Sequence, residues 1–173
     1  MEDSVPFGGR EYWIYLLVLA GARGMDFLST WVATPNLLLE ANPLARKLGW
    51  RWGIPLNVVL CIGFALWPLP AIIIGTTSAL VAAHNFQSAW LMRTMGEVPY
   101  RDWLFRRLAE APRGLFLLCL VAQTALFGMV GAALVFFAGN ALVPLGVGMG
   151  LLGYAVAVLL FTLMAQGRGA RKS

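Results

Sequence analysis

Asp26, Glu40 and His84 are the residues of this chain best suited to chemistry. Two carboxylates and an imidazole are ligand types of zinc, manganese or iron. A divalent metal ion held by Asp26, Glu40 and His84 would bring the pKa of a bound water towards about 7. Glu40 would then act as base, with Asp26 and His84 as the other catalytic groups. Ser29, Thr30, Asn42, Asn85 and Ser88 would line the same pocket as ligand-binding groups. A lipid or a membrane-embedded peptide would be the substrate of such a hydrolase or transferase. The same groups could instead relay protons or hold an ion for a small transporter, and the chain could also be a structural or accessory subunit of a membrane complex. Plainer roles also fit: Arg23 and Asp26 lie one turn apart and can neutralise each other, His84 can be a core histidine, Glu40 can be solvated, and Asn42 can be a helix cap.

The sequence around these residues reads as membrane helix. Of 173 residues, 60% are hydrophobic and 12% charged, against about 25% charged in a soluble domain. The expected fold is all-α, a single transmembrane domain over 1–173 with five spans at about 12–34, 53–67, 71–92, 115–138 and 141–165. Trp67-Pro68-Leu69-Pro70 divides an apolar run too long for one span, because proline ends one helix and starts another. A signal-peptide reading of Arg10 to Ala22 is opposed by Glu2, Asp3 and Glu11, so this segment reads as the first span.

The connections carry their own signals. Thr34-Pro35 and Asn42-Pro43 each read as a cap followed by proline at the first helical position. The second predicts a short interfacial helix, Pro43 to Leu48, ended by Gly49. Leu37, Leu38 and Leu39 suggest that the preceding segment enters the interface and carries Glu40 with it. Between the third and fourth spans, Tyr100, Trp103, Leu104, Leu108 and Ala111 alternate with Arg101, Asp102, Arg106 and Glu110, predicting an amphipathic helix on the membrane surface, though a solvated connecting helix fits the same pattern. Membrane lipids are therefore expected partners, and the basic residues at span ends argue against nucleic acid. Gly128, Gly131, Gly146, Gly150 and Gly153 make small-residue surfaces on the last two spans, suited to close packing or a homo-oligomer. Cys61 and Cys119 read as small buried hydrophobes.

Five spans place eleven basic residues, from Arg46 to Lys172, on one side and Arg10 on the other, with Arg23 inside the first span. By the positive-inside rule the N-terminus is outside and the C-terminus cytoplasmic, in a multi-pass protein of the cell inner membrane. Four spans would split the same charges less sharply. Asp26 and His84 each lie eight residues from the cytoplasmic end of their spans, so at 1.5 Å per residue they reach similar depth. His84, Asn85, Gln87 and Ser88, with Thr77, are read as one polar arc.

Asp26, Ser29-Thr30 and Glu40-Ala41-Asn42-Pro43 together resemble a family of small prokaryotic membrane proteins of unknown function. That family has an aspartate late in the first helix, then Glu-x-Asn-Pro, then a helical hairpin. The resemblance spans about residues 12–92 and implies no activity. The serine and histidine motifs of rhomboid-type proteases, the paired glutamates of CAAX-type proteases and the Pro-Pro-Trp signatures of tryptophan-rich sensory proteins are absent from the sequence.

Overall fold

The computed structural model describes residues 4–40 and 42–169. Ala41, Glu2, Asp3, Arg171 and Lys172, which enter the sequence argument, lie outside the described residues. The described chain is all-helical: α1 (Arg10–Ala33), α2 (Pro43–Phe64), α3 (Pro68–Met95), α4 (Glu97–Glu110), α5 (Arg113–Phe137) and α6 (Leu142–Gly169). Four of these, α1, α3, α5 and α6, are long and apolar enough to cross a membrane. This is consistent with a multi-pass membrane protein. The expected second span falls mostly within α2, running past its end at Phe64 into the turn, and α2 is not among the four. Its first turns carry Arg46, Lys47 and Arg51, and it breaks at Gly49, where φ is +62° and ψ −171°.

Helix α3 is central. It packs along α1 on one side and α6 on the other, while α5 packs on α6 and α2 touches α1 and α3 more lightly. The contacts fix direction. Tyr12 and Ala71, near the starts of α1 and α3, share an apolar cluster with Val5, Leu19, Cys61 and Ala65. Asn85 meets Ser29 near the other ends of the same two helices. Helices α1 and α3 are therefore parallel. Helix α2 runs back beside them. Trp50 donates to the Pro35 carbonyl at one end (2.8 Å). At the other, the Ile62 carbonyl accepts from the Tyr12 hydroxyl (3.3 Å). The turn into α3 is held by Pro68 at the first helical position, and Val5 N–H donates to the Leu66 carbonyl across it (2.8 Å).

Gly131, Gly146, Gly148 and Gly150 of the last hairpin are used in close packing within the chain. A methyl at Gly148 would lie 2.7 Å from the Gly131 carbonyl, and one at Gly150 2.7 Å from Thr76 Cβ. Gly146 meets Ile72 in the same way, whereas Gly128 faces open space. Thr77 Oγ1 donates to the Gly150 carbonyl (3.0 Å), a bond that this close approach permits. Of the two cysteines, Cys61 is buried as expected, but Cys119 is exposed on α5. Among the described residues the main packing of α5 is against α6.

Candidate functional site

The polar centre of the structure is Arg23. Its Nη1 donates to Asp26 Oδ2 (2.9 Å) and to Ser78 Oγ (3.2 Å). Its Nε donates to Asn57 Oδ1 (2.9 Å), and Nη2 donates to the same oxygen. Asn57 is oriented by its own Nδ2, which donates to the Gly53 carbonyl (2.8 Å). One guanidinium thus joins α1, α2 and α3, its Cζ lying 5.6 Å from the Phe27 ring centroid. Its fixed fork suits several acceptors at once. Beside it Leu19, Arg23, Asn57, Leu60, Cys61, Phe64 and Ile74 line a cavity of about 190 Å³.

The expected metal set does not gather. Among the described residues no three of His, Cys, Asp and Glu lie close enough to hold a metal ion. Asp26 is paired with Arg23. Glu40 lies within electrostatic range of Asp26, and its Oε1 accepts from Asn42 N–H (2.8 Å). His84 is exposed and faces α6, edge-on to Tyr154 with ring centroids 6.5 Å apart. Tyr154 in turn packs edge-on against Phe127 of α5.

The reason is register on α3. Residues seven apart share a helix face, and adjacent residues differ by about 100°. Ser78 and Asn85 look towards α1: Ser78 takes a bond from Arg23, and Asn85 Nδ2 reaches Ser29 Oγ and Thr30 Oγ1 at 3.3 and 3.5 Å. Thr77 and His84, one residue earlier in each case, look towards α6. The single polar arc read from the sequence is two arcs on two interfaces. The two bonds from Asn85 link α1 to α3, and Ser29 Oγ also donates to the Asp26 carbonyl within α1 (2.8 Å). Ser88 neighbours the buried Tyr100 hydroxyl of α4. Burial pushes that phenol above its ordinary pKa, and the nearby Ser88 side chain acts the other way. Asn42 is a helix cap, accepting from Leu44 and Ala45 N–H at 2.9 and 3.4 Å.

A second polar centre was not legible in the sequence. Glu97, at the start of α4, is buried and accepts four hydrogen bonds from the segment after α1. Oε2 accepts from Thr34 Oγ1 (3.0 Å) and Leu38 N–H (3.1 Å). Oε1 accepts from the N–H (2.7 Å) and Nδ2 (3.2 Å) of Asn36. Thr34 therefore caps no helix with Pro35; it ends α1, and its Oγ1 also accepts from Leu39 N–H (3.1 Å). Two backbone donors converging on one anion are a nest-like site. Between them Leu37 takes φ +57°, a left-handed conformation costing a non-glycine residue about 1 kcal/mol or more. The sequence signal was slight. Glu97 follows a helix-breaking Gly96 and suits a helix N-terminus electrostatically, which hides its distant partner.

No family model, curated protein or solved structure matches the chain.

Proposed function

We propose that the protein is a five-span protein of the cell membrane, with its N-terminus outside, whose Arg23 centre holds the polar end of a small ligand. The parallel run of α1 and α3 supports the fifth span. Two neighbouring helices that both cross a bilayer in one direction need a return crossing between them. From Gly49 to Phe64, α2 provides it. It is short for a span of about 17 residues or more, and Arg46, Lys47 and Arg51 anchor its start at the cytoplasmic head groups. Fusion of a reporter active only outside the membrane, placed after Leu66 and after Gly139, tests the topology. Activity at both sites is expected; a silent fusion at Leu66 would remove the fifth span.

The observation that carries the binding role is Arg23, shared by three helices and lining a cavity with Asn57. Charged groups within apolar helices are costly, and those retained commonly serve binding or relay. The cavity walls are apolar apart from Arg23 and Asn57, which fits a ligand with a polar head and a hydrocarbon body. The gathered groups support binding and charge placement, not a three-ligand metal site. Native mass spectrometry of protein extracted mildly from its own membranes provides the test. A small co-purifying molecule is expected with the wild type and is absent with the cavity-filling Leu60→Trp, which leaves Arg23 untouched. Identical spectra for the two proteins would reject the proposal.

A further inference from the structure

We propose that a second cavity, at the junction of α1, α3 and α4, seats the head group of an anionic phospholipid from the cytoplasmic leaflet. The cavity holds about 420 Å³ and is bounded by the ends of α1 and α3, the segment after α1 and the first turn of α4. That volume is in the range of ordinary small-molecule sites. Ala33, Pro35, Leu38, Met92, Val98 and Pro99 make its walls apolar. Leu38 and Val98 remain 48% and 47% exposed at the rim, where acyl chains would cover them.

Charge selects the ligand. Arg93 lines this cavity, and among the described residues no carboxylate pairs with it. Its guanidinium lies 5.4 Å from the Trp31 ring centroid, which holds the cation at the mouth by cation–π attraction. Glu97 also borders the cavity, but its carboxylate is saturated by the four donors from Thr34, Asn36 and Leu38. Among the described residues it forms no ion pair with Arg93. Among the described residues Arg93 is a cation without a carboxylate partner, set beside walls that are mainly apolar, the complement of a lipid phosphate above its first methylenes. It lies where two long apolar helices end and the Arg-bearing α4 begins, which is head-group depth. The inference rests on the proposed membrane orientation but not on the Arg23 site.

The full chain, purified in detergent, is titrated with phosphatidylglycerol, phosphatidylcholine and inorganic phosphate, and bound lipid is counted by native mass spectrometry. One phosphatidylglycerol is expected to be retained with raised thermal stability, and phosphatidylcholine is not. Arg93→Gln weakens retention about five- to tenfold, Arg93→Lys retains most of it, and Arg106→Gln, on the exposed face of α4, leaves it unchanged. Because Arg93 is exposed, loss of folding is not expected, and the melting curve checks this. Equal loss with Arg106→Gln would mean diffuse surface charge and overturn the site. Equal retention of phosphatidylcholine overturns the charge argument, and protection by inorganic phosphate alone overturns the lipid. A chain recovered in the soluble fraction overturns the membrane reading itself, whereas a membrane-integrated chain without lipid preference overturns only this site.

Discussion

Thr34 and Glu97 are 63 residues apart in the chain and 3.0 Å apart in the fold. Their bond ties the end of α1 to the start of α4 and holds the left-handed Leu37 between two donors to the same carboxylate. The strain at Leu37 persists because several bonds over-determine the segment.

Removing that carboxylate should open the segment before it unfolds the bundle. Glu97→Ala leaves the N–H groups of Asn36 and Leu38 without their acceptor, at about 1–3 kcal/mol for each donor that water does not reach. Glu97→Gln keeps one oxygen and should lose less. Hydrogen exchange at Asn36 and Leu38 should rise strongly in Glu97→Ala and modestly in Glu97→Gln, while α5 and α6 keep their protection. Unchanged exchange in Glu97→Ala would show that other contacts hold the segment.

The Arg23–Asp26 pair should behave as a coupled unit. Asp26→Asn leaves an uncompensated guanidinium among apolar helices, a loss of about 2–3 kcal/mol. Arg23→Gln leaves Asp26 without its cation, and Asn57 and Ser78 without its donors. The double variant removes both charges, so its loss should be clearly smaller than the sum of the singles. Thermal midpoints of the four proteins in one detergent give the cycle; additive losses would mean that the 2.9 Å pair contributes nothing specific.

The glycine contacts separate packing from mere composition. Gly150→Ala places a methyl 2.7 Å from Thr76 Cβ and 3.0 Å from the Ile73 carbonyl. Neither atom can rotate away, so α3 and α6 must part, at about 1–3 kcal/mol. Gly128→Ala meets nothing within 4 Å and should be neutral or gain up to about 1 kcal/mol in helix propensity. Thermal unfolding of the two variants checks the contrast, and equal behaviour would refute the α3–α6 contact.

Local pattern and covalent chemistry in the sequence determined where helices lie. Apolar runs longer than a bilayer needs, prolines at Pro43 and Pro68, and glycines at Gly49 and Gly139 mark starts and stops from within a few residues. The Asn42 cap, the break at Gly49 and the Arg23–Asp26 pair are local for the same reason: each is decided within one turn of helix. Tertiary structure decided what faces what. His84 and Asn85 are neighbours in sequence, yet the packing of α3 between α6 and α1 sends them to opposite partners. Helical spacing gives relative angles around an axis but not the direction of the neighbouring helix. Glu97 is the sharper case. Its four bonds come from a segment some sixty residues away, so only the return of α4 beneath α1 reveals them.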